Sequence, residues 1–263
     1  MDVDYLHISA FTATPGQGNS AAVCHFASWP EDDELSRIAQ KIALPVTACI
    51  VHVGDRTELR WLSRAGTYIQ SMCGHGTLAA SCVMAMDHPE LREFSFSTPG
   101  GTVPVRCQGN LFYLGLPKWN SQHVSSAPGV AEALGRQPLE FREAGRDLMA
   151  IYASEEEVKD LNPDMAKLRA LARKGYIATA PGLEFDCVSR FFCPAFGIGV
   201  DEDPVTGSAH CSIAPFWAER LQKTRLRAWQ ASAAGGELQC EVTPDAVVIG
   251  ASAVLFGRGR VSV

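Results

Sequence analysis

The chain of 263 residues has no apolar run near the roughly 20 residues that a membrane helix needs, and no block of like charge. The first absence gives no reason to expect a membrane partner. The second leaves nucleic acid without an electrostatic footprint. CxxC spacing is missing as well. The nine cysteines (24, 49, 73, 82, 107, 187, 193, 211, 240) are odd in number and scattered, several of them inside apolar runs. That pattern argues against a disulfide framework and against a structural zinc site, so no metal is expected. Buried thiols of this kind behave as small hydrophobes. The opening MDVDYLHISAF lacks the basic and apolar regions of a secretion leader, so a reduced, cytoplasmic protein is the expectation.

What is present is the composition of a globular protein, 46% hydrophobic and 20% charged, with a net charge of −6. The length suits one large domain or two ordinary ones. Residues 3–10, 47–53, 57–63, 92–97, 101–107 and 110–116 carry β-branched and aromatic residues between turn signals and read as short strands. The stretch 237–263 has the same texture, with Gly250, Gly257 and Gly259 as punctuation. In PEDDELSRIAQKI, Leu35, Ile38, Ala39 and Ile42 fall at helical spacing behind an acidic first turn. DMAKLRALARKG (164–175) reads as a surface helix closed by a glycine.

Two further helices are apolar on every side and should be buried all round. One starts near Gly74 in MCGHGTLAAS, the other near Gly207 in DEDPVTGSAHCSIAPFWAERL. Their openings are alike in kind: Cys73-Gly74-His75 against Thr206-Gly207-Ser208. This suggests a strand-rich unit with a central helix occurring twice, with a boundary near LPKWNSQHVSSAPG (116–129), a linker rich in Pro, Ser and Asn as connections are. A helix start presents unpaired N–H groups and about half a positive charge, which favours carboxylates, and glycine there admits close approach of a ligand. A thiol at such a start is held toward its thiolate, the form that acts as base or nucleophile. Asp203 could orient an amine or exchange a proton. Taken singly, each residue has an ordinary structural use: Cys73 and His75 in packing or capping, Asp203 in an Asp-Pro turn, His210 in the core or a cap. The pairing of the two helix starts is what points to a ligand.

The segment EFDCVSRFFCPAFGIGVDEDPVTGSAH (184–210) resembles the signature of the PhzF-like proteins, named for an isomerase of phenazine biosynthesis. CGHGT (73–77) is similar to that family's Cys-Gly-His-Ala-Thr, and FTATPGQGNSAAVC (11–24) to its Gly-Asn-Pro segment, with Ser20 in place of proline. The last strands resemble its closing hairpins. The resemblance spans essentially the whole chain. It implies an α+β, diaminopimelate epimerase-like fold with two similar barrel domains, each around a central helix, and an active site in the cleft between them. The expected bounds are 1–116, which the last C-terminal strand could complete, and 117–263. It also implies a cofactor-independent isomerase or epimerase that moves a proton on a small carboxylic acid. A homodimer is one assembly that the resemblance allows. Substrate contacts carry over to Asn19, Gly74, His75, Gly76, Thr206, Gly207 and Ser208.

One position does not carry over. The family's general acid/base is a glutamate in a Leu-Ser-Glu-Thr-Ala segment, and here Leu44-Pro45-Val46-Thr47-Ala48 puts a valine in its place. Asp55 and Glu58 are the nearest carboxylates, on a later turn and strand. Three readings follow. In the first, Cys73 acts as base instead, with Asp203 or His75 as catalytic partner, in an isomerisation or a dehydration. In the second, the chain has lost catalysis and kept the acid-binding cleft, binding a small acid or acting as a partner protein. Or the cleft is vestigial and the fold serves an interaction. Phe11, Trp61 and Tyr68 are candidates both for the cleft wall and for the ordinary core.

Overall fold

Leu35, Ile38, Ala39 and Ile42 are the buried residues of helix α1 (Asp32–Ile42), a single apolar stripe, and Glu34 reaches back to the Glu31 N–H at 3.3 Å to close its first turn. The computed structural model of the chain describes residues 1–70, 72–171 and 173–263. Two units divide them, Met1–Gly115 with Gly250–Val263, and Leu116–Ile249.

In the first unit the order is β1 (Asp2–Ala10), β2 (Asn19–Phe26), α1, β3 (Val46–Val53), β4 (Arg56–Ser63), α2 (Gly74–Asp87), β5 (Glu93–Thr98), β6 (Gly101–Gln108) and β7 (Leu111–Pro117). The second runs through β8 (Gln122–Val124), α3 (Val130–Leu134), β9 (Glu140–Ala144), β10 (Asp147–Ile151), α4 (Glu155–Lys159) and α5 (Met165–Ala170). It continues with β11 (Tyr176–Pro181), β12 (Cys187–Phe192), α6 (Gly207–Leu221), β13 (Arg225–Gln230), β14 (Gly236–Val242) and β15 (Ala246–Ser262). From Gly250 onward β15 belongs to the first unit, where it pairs with β1 from Asp2↔Ser262 to Ala10↔Ala253. The strand order β1-β2-β3-β4-β5-β6-β7-β15 then closes on itself as an eight-stranded barrel.

The repeat shows in the connections. In the first unit β2 and β3 are parallel across α1, and β4 and β5 are parallel across α2. In the second, β10 and β11 are parallel across α4 and α5, and β12 and β13 are parallel across α6. A parallel pair needs a crossover, and each crossover here is helical. In the first unit α1 covers one sheet face and α2 the other; in the second, α3, α4 and α5 cover one face and α6 the other. Alternation along the strands sorts them. Ala22, Cys24, Cys49 and Leu62 cluster with α1, so Val46, Ala48 and Ile50 point to the opposite side of β3. Likewise Ala178 and Ala180 cluster with α3, α4 and α5, while Thr179 between them accepts the Trp217 Nε1–H of α6 at 2.9 Å.

Residues 74–84 of α2 and 207–218 of α6 are buried on all sides. Polar side chains inside α2 bond within the helix: the Thr77 hydroxyl to the Cys73 carbonyl and the Ser81 hydroxyl to the Thr77 carbonyl, both at 2.8 Å. Pro215 lies inside α6 and brings no N–H, which would orphan the Cys211 carbonyl four residues back. The Trp119 backbone N–H fills that gap at 2.9 Å.

Three readings of the sequence need correction. Gly250, Gly257 and Gly259 do not punctuate hairpins, since β15 runs unbroken through them. At Gly259 the strand passes against Tyr5, where a methyl group would come within 2.4 Å of the ring, so glycine serves close packing there. The helix expected over 164–175 ends at Ala170; residue 172 lies outside the described residues. Tyr176 takes the Leu168 carbonyl at 3.0 Å, and the Gly175 carbonyl is already committed to the Leu148 N–H. The stretch 116–129 is not loop alone, because β8 lies within it and pairs with β9.

Candidate active site

Helices α4 and α5 begin in the ordinary way, with Ser154 and Asp164 accepting the Glu157 and Lys167 N–H groups. The two buried helices begin differently: no side chain caps α2 or α6. A buried helix start without a cap is where a ligand's acceptor atoms fit.

At α2 the N-cap is Cys73, buried, with its Sγ 3.7 Å from His75 Nδ1. The opposite ring nitrogen, His75 Nε2, is buried and has no hydrogen-bond partner among the described residues. Gly76 sits at a crowded point. A methyl group there would lie 2.7 Å from Trp61 Cδ1 and 3.1 Å from both Cys73 Sγ and Val46 Cγ1. Four sequence-marked residues therefore meet in one turn: Cys73, His75 two positions on, Gly76, and Val46 from the inward side of β3. Trp61 of β4 forms the wall and is fully buried. Tyr68 stands apart, its hydroxyl on Asp32 Oδ1 at 2.7 Å. Glu58 is engaged by Trp29 Nε1 at 2.7 Å. Asn19 is buried at the start of β2, opposite Ala10, and Gly18 before it has φ +67° and no room for a Cβ against the Ala10 carbonyl.

At α6 the N-cap Thr206 turns its hydroxyl away from the helix and donates to Asp203 Oδ2 at 2.6 Å. Asp203 is pinned by its backbone, its N–H on the Phe191 carbonyl at 3.0 Å. The preceding residue is fixed too, since Glu202 takes Arg190 through two bonds of 2.8 Å each. Ser208 Oγ accepts from Arg146 at 2.8 Å. That bond occupies a lone pair and leaves the hydroxyl proton to donate elsewhere. Arg146 is stacked over Phe196 at 4.6 Å and lies 3.5 Å from Asp147, whose carboxyl burial pushes up to about 6 against the pull of Arg146. His210 is fully buried, with Nδ1 on the Thr206 carbonyl at 2.9 Å; burial lowers its pKa to about 4, so the ring is neutral.

Sequence reasoning missed Arg146 and Gln230. Arg146 lies 62 residues before Ser208 on the β9–β10 turn, and Gln230 closes β13. Neither carries a local motif. Among the described residues no group of His, Cys, Asp and Glu is arranged to hold a metal ion, and no helix is long and apolar enough to cross a membrane.

Comparison with known proteins agrees with this architecture. The profile of the phenazine biosynthesis-like proteins (PhzC-PhzF) matches residues 8–259. An uncharacterized isomerase of Pseudomonas aeruginosa is 39% identical over 263 residues, with 99% of each chain covered. The crystal structure of a PhzF-family phenazine biosynthesis protein from Enterococcus faecalis superposes with a TM-score of 0.91 at 34% identity, covering 100% of both chains. A hydroxyproline epimerase from Agrobacterium vitis shares the fold at a TM-score of 0.63 and 11% identity, over 99% of this chain and 91% of its own. The chain belongs to the phenazine biosynthesis-like PhzC-PhzF family, and its fold and its relatives are those of PhzF-type isomerases.

Proposed function

We propose that the protein is a cofactor-independent isomerase that moves a proton on a small amino, imino or hydroxy acid, with Cys73 as the base. The observation that carries this reading is the first turn of α2, where Cys73 Sγ, His75 and Val46 converge on Gly76. A base must stand where the substrate is anchored. The helix start anchors a carboxylate, and its N–H groups stabilise the negative charge that spreads into that carboxylate when the neighbouring carbon loses its proton. The thiolate takes the proton and returns it to a carbon of the same substrate, so that atoms and electrons balance with no cofactor. His75 Nδ1 accepts the thiol proton or donates to the thiolate. Gly74, His75 and Gly76 supply N–H groups in the first unit. Gly207 and Ser208 supply donors in the second, where Asp203 is the alternative proton carrier.

Val46 supports a second reading, a protein that binds a small acid without turning it over, because valine stands where the family carries its glutamate. The two readings separate in deuterated water. The protein is incubated with a panel of amino, imino and hydroxy acids, and their α- and β-protons are followed by NMR beside a Cys73→Ser variant. Exchange that disappears in the variant supports the isomerase. Exchange that survives moves the base to Asp203 or His75. Binding without exchange across the panel supports the silent reading.

A further inference from the structure

We propose that Gln230 is a positioning residue at the start of α6, holding the Asp203 carboxylate as an ionised hydrogen-bond acceptor through the hydroxyl of Thr206. The proposal deepens the reading of Asp203 as a proton carrier or substrate contact and rests on it for its functional meaning.

The geometry is a closed circuit around the turn before α6. Gln230 is fully buried at the end of β13. Its Oε1 accepts the Thr206 N–H at 2.7 Å, and its Nε2 donates to the Asp203 carbonyl at 2.7 Å. A backbone N–H can only donate and a carbonyl can only accept, so the amide has one orientation. Its Nε2 also lies 3.2 Å from Thr206 Oγ1, and that contact is a donation into the hydroxyl. The hydroxyl's own proton then goes to Asp203 Oδ2 at 2.6 Å. Amide, hydroxyl and carboxylate form a chain with every donor aimed toward the charge. Such chains polarise one another, and hydrogen bonds to the charged form favour it.

The surroundings make this chain matter. Cys193 packs near Asp203, and burial pushes its thiol up, with the charges of Asp203 and Asp147 adding to that. Asp147 lies in the same region with Arg146 as its counterion, Asp201 is exposed and paired with Arg169, and Glu202 is paired with Arg190. Each of these three carboxylates has an arginine as its partner. The Gln230–Thr206 chain directs its donors at the Asp203 carboxylate itself. It also explains why Thr206 does not cap its own helix.

The test reads Asp203 directly, in the absence of substrate, so it stands or fails whether or not the protein turns anything over. The Asp203 carboxyl carbon is followed against pH by ¹³C NMR and assigned with Asp203→Asn. In the unaltered protein the Gln230 side-chain nitrogen should titrate with the same midpoint. Thr206→Val should raise that midpoint by about one unit, a tenfold change in proton affinity, and Thr206→Ser should restore it. Gln230→Leu should raise it as well, and the pair of substitutions should raise it no further than Thr206→Val alone, since both act through one hydroxyl. If Gln230→Leu does not fold, Thr206→Val and the unaltered protein decide. A Gln230 nitrogen indifferent to the Asp203 titration, or an Asp203 midpoint unmoved in Thr206→Val, overturns the proposal and leaves Gln230 a structural clamp.

Discussion

Cys73 Sγ lies 3.7 Å from His75 Nδ1, within reach of a sulfur hydrogen bond, at the uncapped start of a helix buried on every side. The two residues are spaced so that one turn holds both a proton acceptor and its partner. Replacement of Cys73 by serine should lower solvent exchange of the substrate by about 100-fold or more, the usual worth of a positioned base. His75→Asn should cost less, because it removes the partner and leaves the thiol. Equal losses in both variants, measured by the NMR exchange assay, would instead make His75 a base in its own right.

Val46 Cγ1 and Cys73 Sγ each stand 3.1 Å from the position of a methyl group on Gly76. Glutamate in place of Val46 would therefore put a carboxylate beside the thiol. Val46→Glu should lower the melting temperature, since it places a charge at a fully buried site. It should also widen the panel of acids exchanged and restore exchange to Cys73→Ser. An unchanged substrate preference in Val46→Glu argues that position 46 does not shape the site.

Gly76 is crowded by Trp61 Cδ1 at 2.7 Å. Alanine is otherwise the better helix former, by about 1 kcal/mol. Gly76→Ala should nevertheless destabilise the protein, by roughly 1–3 kcal/mol, through overpacking. Urea denaturation reads the difference. A gain in stability would show that Trp61 can move aside, and ligand binding should then be unaffected.

The buried His210 gives a signed dependence on pH. Its pKa falls from 6.5 to about 4 through burial, so the folded state holds it neutral. Its contribution to stability is complete above pH 6.5 and is lost as the pH drops through 4, up to roughly 3 kcal/mol in all. Asp147 works in the opposite sense. Its pKa is raised from 3.8 to about 6, so folding favours its protonated form and that contribution fades as the pH rises from 4 to 6. The difference between the unaltered protein and His210→Asn isolates the histidine. That difference should shrink on acidification from pH 7 to pH 4, and a constant difference in denaturation free energy would contradict it.

Legibility varied by element, and the reason was range. Helix α1 was readable because Leu35, Ile38, Ala39 and Ile42 form a stripe within eleven residues. Helices α2 and α6 were readable as buried because no charge interrupts their apolar stretches, and their starts were marked by Cys-Gly-His and Thr-Gly-Ser. By contrast, the helix over 164–175 was overestimated because its end is set by Tyr176 and Gly175, through contacts that periodicity does not register.

The sequence by itself marked the two apolar helices, their Cys73-Gly74-His75 and Thr206-Gly207-Ser208 starts, and the valine of Leu44-Pro45-Val46-Thr47-Ala48, since each rests on residues a few positions apart. Tertiary structure alone decided which side chains complete those starts. Arg146 reaches Ser208 across 62 residues, Gln230 holds Thr206 across 24, and Val46 meets Gly76 only because β3 turns its even-numbered residues toward α2. Strand alternation and helix propensity act locally, whereas the partners of a buried polar group are chosen by where the sheet delivers them, and only the fold contains that information.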